Sequence, residues 1–563
     1  MRPADWNYER AAHLIERAGF GGTPAEVARL AAMTPREAVN YLVEYESIDN
    51  GHLKPFEESP IWDPGMDPFP KSRADAVRQA RERGESMGVK VNTEGSRRLQ
   101  PVVNKFFYLL RANALEDRRA VLWWANRMLS TKRPLEEKMA LFWHGHFATG
   151  DTKVRDCRKM IIQLDLFHTY ATGNFRDLLL GVTKDPGMLA YLDNAENVEE
   201  HPNENFGREL MELFSMGIGN YTEQDVREAS RAFTGWTDDR LTFVARPELH
   251  DDGVKTVLGR TGNFDGEDII DIIAEQPATA AFISGKLYRY FVREELVAEV
   301  HDRLAERLRE SAYELKPLLK TIFLSKDFYS PPSVATQIKT PVHLVVSTYK
   351  KLGLSEVPTI PDFSSATGAL GQSLFNPPNV AGWAGGRTWI TPATLFQRGN
   401  FAHQVLFPKV EASDTSKRTM PSIYRVVGEK LAQGLNITQA TMSGDSSFNK
   451  MADADEDYNT RYGGYMGYIM AYEVVPPIPR FPAAVDLTAM LRREEILTTE
   501  ATVDYFLRRF LSVPLKADDR TVLVSFLDQQ LGGEAIDFSA PDLETSLRYL
   551  LHLILSAPEY QLS

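Results

Sequence analysis

His201-Pro202-Asn203-Glu204-Asn205-Phe206-Gly207-Arg208-Glu209-Leu210-Met211-Glu212-Leu213-Phe214-Ser215-Met216-Gly217 reads as one punctuated helix. Pro202 and Asn203 mark its start, and Gly217 and Gly219 lie at or just past its end. Phe206, Leu210, Leu213 and Phe214 recur at helical spacing and form an apolar stripe. At about 100° per residue, Asn205, Glu209 and Glu212 stack along one edge of that stripe. Glu204 and Arg208 point away from it as a favourably ordered i, i+4 pair, and Arg208 also reaches towards Glu212 in the weaker order. Two glutamates beside a buried face call for a cation, a proton or strong donors. The plain reading is that Arg208 neutralises Glu212 while Glu209 flanks a core helix; the functional reading makes the pair part of a site.

Outward from this helix the chain is punctuated in the same way. Ala11 to Gly22 is a short helix stopped by glycines, with Thr23 capping the next and Thr34-Pro35 opening a third. A basic helix spans about Lys71 to Arg83, and Val102 to Met128 reads as an apolar helical pair. Pro134 opens a helix to about Phe147, followed by helices over Lys153 to Ala171 and Asn174 to Asp185. Thr222 and Asp225 resemble a capping box. Leu241 to Val244 and Lys255 to Leu258, separated by His250-Asp251-Asp252-Gly253, predict one small β-hairpin near 240–260. The expected fold is mainly α, multi-helical and globular. A main helical domain over 1–410 carries the candidate site, 411–482 is a polar linker or insertion, and 483–563 is a C-terminal helical segment packing on the main domain.

Composition bounds the function. Apolar residues make up 43% and charged residues 25% of the 563, as in ordinary globular proteins. A formal charge of −13 argues against nucleic acid or an anionic membrane as partner. The single cysteine, Cys157, excludes an internal disulfide and a cysteine-based metal motif. No apolar run reaches spanning length, and Met1 to Trp6 lacks the apolar core of a signal peptide. The compartment expected by default is cytoplasmic, or periplasmic or extracellular if a leader has been removed.

Chemistry concentrates in three places. His144-Gly145-His146 holds two of the 11 histidines. On an unbroken helix they point about 200° apart, so they converge on a metal only if Gly145 breaks the helix. Otherwise one is a core histidine and the other a cap. His250-Asp251 adds an imidazole and a carboxylate, or else a polar turn. With Glu209 and Glu212 these residues match a mono- or dinuclear site of mixed nitrogen and oxygen ligands, in number and type. Trp383, Trp389 and Phe396 with Arg387 and Arg398 suggest a sugar-stacking platform, or a loop anchor. No phosphate loop, Gly-x-Ser-x-Gly elbow or His-Glu-x-x-His occurs.

Phe142 to Phe147, Asn203 to Gly217, Tyr221 to Trp236 and His250 to Gly259 resemble the signatures of a large bacterial family, the domain-of-unknown-function family numbered eighteen hundred. His13 to Pro24, Asn376 to Trp389 and Ser556 to Gln561 fit as well, so the resemblance runs nearly end to end. Gly145 and Gly207 stand where other members often have a different residue. Members are often encoded beside a second, exported family, which implies a neighbour-encoded exported partner and export of this chain. The family carries no established activity. The leading expectation is therefore a metal-dependent hydrolase of an envelope or extracellular polymer such as a polysaccharide. His144, His146 and Glu209 would ligate a divalent transition metal. Glu212 or Asp251 would be a further ligand or the general base, Arg208 would orient a carboxylate, and His250 would be a ligand or proton carrier. The alternatives are an oxygen-activating carboxylate–histidine iron enzyme and a non-catalytic assembly partner whose polar cluster is structural.

Overall fold

In the computed structural model the chain is mainly α-helical, and the residues described are all except 62–68, 96, 411–425, 427 and 430–456. Capping chemistry sets the helix ends. Thr23 and Thr34 close capping boxes with Glu26 and Glu37, each with proline in the first turn. Thr222 does the same with Asp225 and starts the helix Glu223–Ala232. Ser72 caps Arg73–Arg83, and Gly84 ends it in the left-handed region at φ 78°.

The expected apolar pair is a single helix, Gln100–Ser130, of 31 residues. No glycine or proline interrupts it, and its two halves bury against different cores. Val102, Phe106, Leu109 and Ala112 pack in a smaller core with Ala76, Val77 and Ala80. Ala120, Val121, Trp124 and Met128 enter the main core, which also takes in the helix Pro134–His146 and the C-terminal helix Leu543–Ser556.

Within the stretch expected as a linker or insertion, Thr460–Val474 is a helix lying on Gln100–Ser130. Its glycines explain the approach. A Cβ on Gly467 would lie 2.5 Å from the Tyr108 amide nitrogen, and one on Gly463 would lie 2.6 Å from a Val103 methyl. The remainder of that stretch up to residue 456 lies almost wholly outside the described residues.

Hairpin structure is present near 240–260 as expected, but its pairing differs. Strands β1 (Glu85–Ser86) and β2 (Val89–Lys90) pair, as do β3 (Trp236–Asp239) with β4 (Thr242–Ala245) and β5 (Lys255–Val257) with β6 (Arg260–Gly262). The two segments expected to pair with each other are thus β4 and β5 of separate hairpins. Each closes on its nearest neighbour through a two-residue loop, Arg240-Leu241 or Leu258-Gly259. Positive φ at Arg240 (59°), Leu258 (49°) and Gly259 (80°) supplies the twist that such loops need. Among the described residues no helix is long and apolar enough to cross a membrane.

Gly467→Ala is expected to cost about 1–3 kcal/mol by overpacking the helix contact. Gly399→Ala, on a helix with open space around its Cβ, is expected to stabilise by about 0.5–1 kcal/mol. Urea midpoints of the two variants should move in opposite directions.

Candidate functional site

The helix Pro134–His146 runs unbroken through Gly145. His144 and His146 therefore project to different sides, and each is spent on a different segment. His144 Nε2 accepts the Phe375 N–H at 3.0 Å, with its ring beside Trp124, Phe375 and Trp383. His146 Nε2 donates to the Phe214 carbonyl at 3.0 Å, and its Nδ1 accepts from Lys286 Nζ at 3.0 Å. Burial holds both imidazoles neutral, pulling His144 down to about 3 and His146 well below its ordinary value, the latter with help from the Lys286 charge.

The His144 contact belongs to a tight dock. Phe375 sits at φ 59°, its N–H on His144 and its carbonyl accepting from the Asp151 N–H at 2.8 Å. Gly382, at φ 75°, presses its Cα against the Gly145 carbonyl so closely that a Cβ would overlap the oxygen. The proline-rich Asn376 to Trp383 stretch thereby closes over the C-terminal end of the His-Gly-His helix. Trp389 is buried, Phe396 is exposed, and Arg398 is buried on the Lys339 carbonyl and Gln561, so these aromatics and arginines do not share one platform.

The central helix is α-helical over Glu204–Glu209 and then a π-helix over Leu210–Ser215. Met216 N–H bonds the Met211 carbonyl, five residues back. The Leu213 and Phe214 carbonyls, in the last turn before the helix ends, are taken by outside donors, Lys286 Nζ at 3.3 Å and His146 Nε2. Lys286 has no carboxylate partner among the described residues, and burial lowers it to about 8. Arg208 turns outward, bidentate to Glu223 at 2.7 and 2.8 Å and 3.2 Å from Glu204. Glu212 accepts from Tyr221 Oη at 2.6 Å. Glu209 has no hydrogen bond or ion pair among the described residues, and burial together with the Glu212 charge raises its pKa against the pull of Arg208.

The asparagines around this helix act as staples. Asn194 Nδ2 donates to the Trp236 carbonyl at 2.7 Å, and Asn197 Nδ2 donates to the Ser230 carbonyl at 2.8 Å. The Asn203 N–H bonds Asn197 Oδ1 at 2.8 Å, and Asn205 Nδ2 bonds the Leu192 carbonyl at 3.2 Å. Asp251 is bidentate to Arg231 at 2.6 and 3.0 Å, which holds its carboxyl below the usual range. His250 Nδ1 donates to the Thr234 carbonyl at 2.9 Å. These bonds moor the segment between the hairpins to the end of Glu223–Ala232. Among the described residues no group of three or more His, Cys, Asp or Glu side chains is placed to hold a metal ion. The structure brings Glu209 beside Glu212 and packs His146 on the central helix, but it does not gather His144, His250 and Asp251 with them.

The stapled loop forms one wall of a groove of about 890 Å³, with β3, the start of Cys157–Thr169 and the stretch 69–71 as the others. Its lysines are matched: Lys71 with Glu196, Lys153 with Asp193 at 2.7 Å, and Lys159 with Asp238 at 2.6 Å. Arg158 beside the groove holds Asp156 at 2.6 Å. Three lining arginines have no carboxylate within ion-pair distance among the described residues. Arg155 donates to backbone carbonyls and lies over the Phe69 ring, and Arg240 and Arg246 have no side-chain partner there.

A family model described as a protein of unknown function (DUF1800) matches residues 13–562. The chain belongs to that family. No curated protein and no solved structure matches it.

Sequence reasoning missed the DUF1800 chain's groove because its arginines come from segments 85 residues apart. The available signal was the Asp193-Asn194-Ala195-Glu196-Asn197 turn, too rich in buried asparagine for a simple loop.

The imidazoles make a pH prediction. His144 is depressed in the fold, so its contribution is complete above the unfolded value of about 6.5 and is lost as pH falls towards 3. Asp151 and Asp185, both raised to about 7 by burial, act in the opposite sense, favouring the fold as pH falls from 7 towards 4. His144→Gln, which keeps an acceptor for Phe375, should isolate the first effect. Relative to wild type its urea midpoint should improve between pH 7.5 and 5, by up to about 1.4 kcal/mol per pH unit below 6.5. Parallel pH profiles for the two proteins would contradict a buried neutral His144.

Proposed function

We propose that the chain is a non-catalytic assembly protein that receives a neighbour-encoded exported protein in the 890 Å³ groove. The observation that carries this reading is the charge pattern of the groove. In a chain of net charge −13, three arginines line it with no carboxylate partner among the described residues, while its lysines are already matched. The fate of the motif side chains supports it. His144, His146, His250, Asp251 and Arg208 are all engaged in joining one element to another, as a structural network would have them. The test is co-expression with the neighbour-encoded exported protein. Wild type should co-purify with it, and Arg240→Glu/Arg246→Glu, both changes at exposed positions, should weaken the complex by at least about tenfold. A complex indifferent to both charge reversals would overturn the reading.

A metal-dependent hydrolase acting on an envelope polymer is the second reading, favoured by the unpartnered Glu209 carboxyl beside Glu212. These two carboxylates would supply oxygen ligands to a divalent cation, and further donors would have to come from water or substrate. Elemental analysis of untagged protein checks it. This reading expects near-stoichiometric metal that Glu209→Ala loses without unfolding, and iron in that position would select the oxygen-activating alternative. Metal below a tenth of an equivalent would remove both.

A further inference from the structure

The wall of the groove made by β3 offers more than charge. The Arg246 N–H bonds the Gly235 carbonyl at 2.8 Å, which sets the phase of the β3–β4 ladder. In an antiparallel pair, alternate residues turn their backbone groups to the partner strand and to the free edge. Gly235, Thr237 and Asp239 therefore face β4, and Trp236 and Asp238 face away from it. Trp236 is already satisfied on that edge, its N–H donating to the Phe233 carbonyl at 3.3 Å and its carbonyl accepting from Asn194. The Asp238 N–H and carbonyl have no hydrogen-bond partner among the described residues. Among the described residues β3 pairs with β4 alone, and the Asp238 backbone is the part of its second edge left without a hydrogen bond. Asp238 lines the groove, with Arg240 two residues on and Arg246 and Arg155 also lining it.

We infer that the groove takes an acidic, extended polypeptide segment, which adds beside β3 through the backbone of Asp238 and places its carboxylates on Arg155, Arg240 and Arg246. The inference rests on the binding reading above and narrows it to a chemical class. Charge alone would equally suit an acidic polysaccharide. The paired N–H and C=O at the spacing of a sheet edge select a polypeptide, because a peptide residue returns both bonds at once. Asp238 does not oppose the ligand's charge, since its carboxylate is held by Lys159 at 2.6 Å. Asp239, exposed at the groove edge, is the lining carboxylate without a cation partner among the described residues, and it would favour a segment whose acids are set back from the hairpin tip.

The full chain can be titrated against a fluorescein-labelled eight-residue peptide alternating glutamate and valine, read by anisotropy at low salt. The expected result is saturable binding that weakens at least about tenfold in Arg240→Glu/Arg246→Glu and is largely lost near 0.5 M salt. Two further peptides, N-methylated at the odd or at the even positions, test the strand geometry. One phase should lose at least about tenfold and the other should not, because a strand turns only alternate amides to its neighbour. If both methylated peptides and a length-matched oligogalacturonate bind as well as the parent, strand addition is overturned and the groove stays an anion-binding surface. If no acidic probe binds while the co-expressed complex forms and depends on the arginines, the peptide chemistry is wrong and the assembly reading stands. Loss of both sets of results takes both down.

Discussion

An α-helix cannot turn residues i and i+2 to the same side, and most of the architecture around the family motifs follows from that constraint. Because Pro134–His146 stays helical through Gly145, its two imidazoles become two separate ties. One takes the Phe375 N–H and fixes the loop that closes over the helix end. The other holds the Phe214 carbonyl and fixes the central helix. Each imidazole replaces water on a buried backbone group that would otherwise lack a partner, a deficit worth about 1–3 kcal/mol. Burial also keeps each ring neutral, which the geometry requires: His144 Nε2 and His146 Nδ1 are both acceptors and cannot carry a proton.

The end of the π-helix is the complement of the second tie. Leu213 and Phe214 lie in its last turn, where no helical amide follows to take their carbonyls, and Lys286 and His146 take them instead. Ser215 Oγ takes the Leu210 carbonyl at 2.6 Å, so the start of the wide turn is satisfied from within. Lys286 thus brings a cation to the C-terminal end of a helix, where the backbone dipoles are negative, and needs no carboxylate to be tolerated there. This arrangement accounts for a lysine that burial lowers to about 8 sitting in hydrogen-bond contact with a buried imidazole.

Helices were legible in the sequence because their signals are local. Thr-Pro starts, glycine stops and the apolar stripe of the central helix each depend on a few adjacent residues, and the structure has a helix at each of them. The misread features depend on distant partners. Leu241 to Val244 and Lys255 to Leu258 carry strand-forming residues, but which strand each pairs with was decided by the two-residue loops at Arg240-Leu241 and Leu258-Gly259. The bonds that finish the π turn left no mark in the apolar periodicity, because their donors, His146 and Lys286, lie 68 and 73 residues from the carbonyls they bind. The polarity of the motif residues next to apolar neighbours is legible in the sequence, and what they bond to is not, since a buried histidine that ligates metal and one that clamps a carbonyl have the same local sequence.

Net charge and local charge then act at different ranges. A chain at −13 repels an acidic partner while the two are far apart, but at about 0.1 M salt that field decays over roughly 10 Å. Inside the groove the nearest charges decide. The matched pairs Lys71–Glu196, Lys153–Asp193 and Lys159–Asp238 cancel one another and brace the walls, which leaves three arginines against the Asp239 carboxylate as the remaining local field among the described residues. For the acidic segment proposed above, guanidinium is better suited than ammonium, because its planar fork engages a carboxylate at two points and is weakly hydrated. The staples from Asn194, Asn197, Asn203 and Asn205 complete the argument. They tie the family's central helix to the loop and to the strand edge that form the groove, so the motif determines the shape of a surface that it does not itself line.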